Sequence, residues 1–425
     1  METTPEKTDE IPASTGYLDL IRQNREFRRI WLGQVVSQMG DWFDSIAVYT
    51  LVLALTGSSR AVSLILIARF LPTFFFGPIA GVLADRFDRK RIMIVTDGLR
   101  ALIVLGFLFV DRPERIWLAY VLTVLQLTVS TFFEPARSAV IPSVVNRRDL
   151  VRANTISSAT WSVVLAVGAG LGGLVTSWLG TKTAFALDSL SYFLSAVLIF
   201  GVTLPKHAPR LKGVLSLAKV LGITDTIEGA RYVWQHPRVL AAMLVKPAWG
   251  LGGGALTILV VFGDKIFPVA GRPALGMGIL FAARGFGTAV GPILARRMFG
   301  EARDRLELVL GLSFFVGAVF YVIFGTATIY PLAILALMIS HAGSSVQWVN
   351  STVLLQSSVE DGFRGRVFAA ELALLTLTLA TTTFATGELL DRFHWSPRRV
   401  AVLIGLLWLI PGTIWFATRR WWAKD

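Results

Sequence analysis

Two carboxylates three residues apart in an otherwise apolar run, Asp41 and Asp44, are the groups in this chain best suited to carry chemistry. Gln34, Ser37, Gln38, Asp41, Asp44 and Ser45 follow i, i+3, i+4 spacing and make one polar stripe on a helix. Carboxylates inside an apolar span are costly unless they face water, a partner or the interior of a bundle. Low dielectric and mutual repulsion favour holding a proton on at least one of the two, which is what a proton carrier requires. The competing reading makes Asp41 a helix–helix contact and leaves only Asp44 facing a cavity. His341 is a third proton-coupling candidate, since imidazole titrates near physiological pH. A histidine hydrogen-bonded inside a bundle is the alternative.

Cations and amides at similar depth could line a path for a ligand. Arg69 and Arg284 lie well inside apolar runs and must pair with an acid, bind carbonyls or line water. Arg69 reads either as the counter-ion of Asp44 or as a side chain reaching for the headgroups. Lys246, just before Pro247, reads as reaching for the headgroups. Glu134 with Arg137, and Asp97 with Arg100, sit at i, i+3 and read as structural pairs. Gln347, Trp348 and Asn350 share a polar run with His341, and Glu371 follows in the next apolar run. With Gln34, Gln38, Arg69 and Arg284 they form the candidate substrate cavity, Trp348 offering a stacking face. Asp188 reads as a cap or hydrated group near the mouth of its span.

The elements that must position these residues are membrane helices. Of 425 residues 54% are hydrophobic and only 16% charged, and mean hydropathy is +0.62. A polytopic all-α membrane protein requires such a composition and a soluble domain does not. The +13 net charge sits in short segments between apolar runs, where it suits orientation and lipid contacts rather than nucleic acid. With no cysteine and four histidines scattered through the sequence, no thiol site or metal-ligand cluster is expected. No catalytic triad, phosphate loop or cofactor motif appears, so an enzyme is not expected. Met1 to Gly16 is polar and acidic, without the apolar core of a cleavable signal.

Twelve apolar spans are expected, six on each side of one long spacer. The divisions are a tail and basic collar at 1–30, six spans over 31–204, a linker at 205–238, six spans over 239–418 and a tail at 419–425. Segments on the N-terminal side hold about 27 Lys and Arg against about nine on the other, which puts both termini in the cytoplasm.

The most telling stretch is 77–91. An apolar run from Ala61 to Ala84 stops at Asp85, and Arg86, Asp88, Arg89, Lys90 and Arg91 follow before the next run opens at Ile92. Two spans joined by a tight basic turn make a hairpin through a bilayer, and Gly77 and Gly81 at i, i+4 let a neighbouring helix approach closely. The segment Gly81-Val-Leu-Ala-Asp85-Arg86-Phe-Asp-Arg89-Lys90-Arg91 resembles the loop 2–3 signature of the major facilitator superfamily. Phe133 to Pro142, Arg152-Ala-Asn154, Arg364-Gly-Arg366 and Gly40-Asp41-Trp42 resemble its enterobactin-exporter and macrolide-efflux branch. One departure stands at Ala169, where that superfamily's antiporters carry proline.

The resemblance implies twelve helices in two pseudo-symmetric bundles, a monomer, and a place in a bacterial plasma membrane. Gly77-Pro-Ile recurs as Gly291-Pro-Ile, 214 residues later, with Phe299 where the second copy of Asp85 would stand. Parallel repeats of this kind put the substrate path at their interface. Gly81, Asp85, Arg86, Arg89, Lys90 and Arg91 then serve as a conformational gate. The expected activity is proton-driven efflux of a bulky amphipathic or apolar molecule, with protons, lipids and the substrate as partners. An inward carrier or a lipid-flipping transporter is the alternative.

Overall fold

In the computed structural model, residues 16–204 and 223–422 are described. The first 15 residues of the expected tail and collar at 1–30, the linker cations Lys206, Arg210, Lys212 and Lys219, and residues 423–425 lie outside them. The described chain is all-helical apart from one isolated bridge between Val269 and Arg272. A short helix α1 (Tyr17–Gln23) leads into α2 (Arg25–Thr56), α3 (Ser59–Arg86), α4 (Arg89–Leu105), α5 (Ile116–Val144) and α6 (Leu150–Phe200). Then follow α7 (Ile223–Gln235), α8 (Pro237–Trp249), α9 (Ala255–Val261), α10 (Pro273–Phe299), α11 (Arg303–Thr326), α12 (Tyr330–Ser358), α13 (Arg364–Asp391) and α14 (Pro397–Trp422). Ten runs among the described residues are long and apolar enough to cross a membrane. The 32-residue α2 is not among them, because the polar stripe and the arginines of its first turns lower its hydropathy.

Local chemistry fixes the breaks. Asp88 caps α4 by accepting from the Arg91 N–H at 2.9 Å, and Asn24 caps α2 through the Phe27 N–H at 2.9 Å. The long α6 is two arms, because Gly180 adopts φ 85°, a conformation glycine tolerates. The first arm runs parallel to α2, Trp31 meeting Thr160 and the backbone of Trp42 meeting Gly172. The second returns, Gly40 packing on Asp188 and Gly33 on Ser195.

The expected plain linker ends in structure. Helix α7 stacks Tyr232 on Phe363 at 4.3 Å and pairs Glu228 with Arg366 at 2.7 Å, so it is tied to the start of α13.

The run from α8 to α9 is broken at Gly250–Gly252. Thr382 Oγ1 donates to the Gly250 carbonyl at 2.8 Å, and Trp408 Nε1 donates to the Trp249 carbonyl at 3.0 Å. Backbone freed at membrane depth must find such partners.

The two halves meet through small residues. A Cβ on Gly173 of α6 would lie 2.8 Å from Gly278 Cα of α10, and one on Gly285 would lie 2.7 Å from Ala166 Cα. Close helix approach of this type replaces the hydrophobic effect in lipid.

Contacts between the halves concentrate at the end away from the basic turn. There Arg60 pairs with Glu388 at 3.0 Å, and Arg272 donates to the Ser177 carbonyl at 2.7 Å. Toward the basic end the halves part. A space of about 700 Å³ opens between the start of α6 (Val151, Asn154) and the later turns of α10 (Ala289, Ile293), and Gly77 and Gly81 have open space where a Cβ would be.

Candidate functional site

A cavity of about 260 Å³ lies between the halves, walled chiefly by α2, α3, α5 and α6, with Leu256 of α9 and Phe281 and Arg284 of α10 facing them. Gln38 and Asp41 reach it from the polar stripe of α2, and Arg69 from α3. Trp42, Tyr49, Phe70, Trp161 and Phe281 supply aromatic surface. Phe281 stacks on Tyr49 with ring centres 6.0 Å apart, so an aromatic contact bridges the two halves.

Asp44 sits directly behind this wall, 1% exposed. Its Oδ2 faces Arg69 Nη1 at 3.9 Å and accepts from Gln126 Nε2 at 3.4 Å, while Oδ1 has no hydrogen-bond partner. Of the two readings of Arg69, the counter-ion geometry is the one observed. Asp41 accepts from the Tyr192 hydroxyl, and Gln126 also donates to that hydroxyl at 3.3 Å. The two carboxylates are therefore joined through Gln126 and Tyr192 rather than by direct contact. Behind Tyr192, the Arg100 guanidinium lies 4.3 Å from its ring centre and pairs with Asp97.

Not every candidate converges here. Gln34 does not line the cavity, because its Oε1 accepts from Arg137 Nη1 at 2.8 Å, in a network where Arg137 pairs with Glu134 at 2.5 Å. Asn350 ties α12 to α11 through the Leu306 carbonyl at 3.2 Å. Gln347 is 1% exposed inside the second half, and Trp348 is 44% exposed outside the cavity. His341 is buried with Nε2 unpartnered, edge-on to Tyr321 and away from Asp41 and Asp44.

Two readings need correction. Lys246 does not reach for the headgroups: it is 5% exposed and pairs with Glu371 at 2.8 Å, its ammonium 4.9 Å from the Trp348 ring centre. With an acid within reach on α13, burial of the pair wins over hydration. Asp188 is not at a mouth but fully buried, accepting from Ser191 Oγ at 3.2 Å where both pack on Gly40.

At the basic turn, Asp85 is exposed and 3.8 Å from Arg89. Arg89 donates to the Ala139 carbonyl at 2.9 Å, and Lys90 to the Val202 carbonyl at 2.8 Å.

The residues missed in sequence are Tyr192, Gln126 and Tyr49. None of the three is itself charged, so none is marked by the cost of sitting in an apolar span. Tyr192 alone carried a hint, one turn after Asp188 on the same helix face.

Two helical halves around a polar, aromatic-walled cavity are the architecture of a membrane transporter. The model of the family described as transmembrane secretion effector matches residues 18–413. The chain belongs to that family, on the efflux branch of the major facilitator superfamily. It is 29% identical over 412 residues to the uncharacterized MFS-type transporter YfiS of Bacillus subtilis (strain 168), covering 93% of each chain. Macrolide efflux protein A of Streptococcus pyogenes is 25% identical over 387 residues, 87% of this chain and 91% of that one. Among solved structures, a bacterial homologue of the human lysosomal transporter Spinster, in an inward-facing and unoccupied conformation, superposes with a TM-score of 0.73. That match is 14% identical and covers 97% of this chain and 99% of the other.

Proposed function

We propose that the protein is a secondary active exporter of bulky amphipathic or apolar small molecules, driven by inward proton movement through alternating access. Twelve crossing helices fall into two six-helix bundles, over 31–204 and 239–418, joined by the linker at 205–238. Both termini face the cytoplasm of a bacterial cell, and the chain works as a monomer in the plasma membrane. The single observation carrying this reading is the placement of Asp44. It is buried behind a cavity shared by both halves, held by a 3.9 Å ion pair with one oxygen unpartnered. A proton arriving on that oxygen competes with Arg69 for the carboxylate and so changes which arrangement of the two halves is favoured.

Charge balance supports the same role. Asp41, Asp44, Asp97 and Asp188 crowd the interior of the first half against Arg69 and Arg100, an excess of acid that protons can balance. Asp44 with Asp41 carries the coupling. His341 contributes from the second half by taking up a proton when its pocket rearranges. Contacts at the far end and parting at the basic end correspond to an inward-open arrangement. When the halves rock, Gly81, Asp85, Arg86, Arg89, Lys90 and Arg91 close the cytoplasmic side against the start of α13. The kinship with macrolide efflux protein A supports outward transport of a bulky compound.

Proteoliposomes loaded with a pH-sensitive dye test this. Adding a transported drug from a toxic-compound panel should collapse an imposed proton gradient with wild-type protein and fail to do so with Asp44→Asn. An unchanged response in Asp44→Asn removes Asp44 from the scheme.

A further inference from the structure

Arg284 is a cation in mid-membrane with no carboxylate within 4.0 Å among the described residues. It projects from α10 into the cavity, and its Nε has no hydrogen-bond partner. Eleven residues from the start of its helix, it stands roughly 16 Å from that end at 1.5 Å per residue, too deep to reach the headgroups. Nor can the helix turn to hide it. Gly278 and Gly285 clamp α10 to α6, while a Cβ on Gly291 would lie 2.7 Å from Ala342 Cα of α12.

Its counterpart Arg69 has Asp44; Arg284 faces only the cavity and its aromatic wall of Phe281 and Tyr49. An arginine in a low-dielectric site with spare donors calls for an anion, which planar carboxylates meet in bidentate fashion. We infer that Arg284 anchors the anionic group of the substrate, and that the substrate class is an amphipathic carboxylate whose aromatic or apolar body lies against Phe281 and Tyr49. This rests on the exporter reading above and deepens it. The volume of about 260 Å³ suits a fused bicyclic body with a short acidic arm.

Full-length protein in nanodiscs is titrated with 1-naphthylacetate, its neutral isostere 1-naphthylacetamide, and 1-naphthylmethylammonium. Naphthylacetate should bind at least about ten-fold more tightly than the amide. Arg284→Gln should bring the two within about two-fold by weakening only the carboxylate, and Arg284→Lys, which keeps the charge without the bidentate fork, should retain only part of the preference. Unchanged affinity for the amide in Arg284→Gln shows that the variant is folded. If wild type does not prefer the carboxylate, or Arg284→Gln keeps the preference, the inference is overturned. If Arg284→Gln in proteoliposomes moves naphthylacetate at the wild-type rate, the exporter reading stands while the anion anchor falls. If wild type neither binds nor moves any of the three, both fall.

Discussion

Asp391, the last residue of α13, caps the start of α3 from the opposite half of the molecule, accepting from the Arg60 N–H at 2.9 Å. It also accepts from the Ser59 N–H at 3.1 Å and the Ser58 hydroxyl at 2.6 Å. A carboxylate at a helix N-terminus satisfies orphan donors and complements the macrodipole. Here the cap belongs to another body, so a capping interaction has become a latch. The nearby Arg60–Glu388 pair adds little alone, since Arg60 is half exposed.

On the proposed alternating-access reading, breaking this latch should shift the molecule toward an outward-open arrangement. A cap of this kind contributes about 0.5–2 kcal/mol, so Asp391→Ala should raise the outward-open population roughly 2- to 30-fold. The chain has no cysteine, which makes single-cysteine labelling clean. Ser63 lies behind the latch, its Oγ 3.0 Å from Thr257 Oγ1. A cysteine placed there should react faster with a membrane-impermeant maleimide once Asp391 is alanine. Equal rates would mean that the latch holds nothing.

The glycine seam makes a different prediction. Gly278→Val would drive two methyl groups into a helix whose Gly173 Cα already stands 2.7 Å from the position of a single Cβ. The halves cannot rock about a seam that no longer closes. Transport should fall more than about ten-fold while the protein still elutes as a monodisperse peak, because the clash lies between the bundles and not within either core. Normal transport by Gly278→Val would show that α6 and α10 do not need this approach.

The Lys246–Glu371 pair should behave as a structural element of the second half. Both side chains are less than a tenth exposed. Removing one partner strands a buried charge and costs about 3–5 kcal/mol, whereas replacing both with apolar residues is often neutral. Lys246→Met and Glu371→Met should each lower the melting temperature, and the double variant should recover most of the loss. A double variant no more stable than either single one would contradict this.

How far the sequence reaches is clear from these same residues. Apolar run length is set by bilayer thickness, so the expected stop of the Ala61–Ala84 run is matched within a few residues by α3, Ser59–Arg86. Charges inside those runs announce themselves by cost, and Asp41, Asp44, Arg69 and Arg284 were legible for that reason. What they touch was not. Whether Lys246 escapes to water or meets Glu371 depends on helix rotation 125 residues away in sequence. Tyr192 and Gln126 cost nothing in an amphipathic span and only acquire meaning once Asp41 and Asp44 are placed beside them.

The broken run between α8 and α9 gives the last test, because its cause can be separated from its effect. A Cβ on Gly254 would overlap Thr386 Oγ1 of α13, so Gly254→Ala cannot be accommodated while Thr386 stays. If the break matters as a close-packed joint, Gly254→Ala should lose stability and transport together. Thr386→Gly, which also removes the Cβ 2.6 Å from the new methyl, should then rescue both in the double variant, apart from the roughly 1 kcal/mol a mid-helix glycine costs. If the break matters as a hinge, an alanine there stiffens the backbone whatever sits opposite. Rescue of the melting temperature without rescue of transport would then follow. Joint rescue is expected, because Thr382 and Trp408 already hold the free carbonyls of this segment and leave it little to flex. Measuring melting temperature and transport on the three variants decides between them.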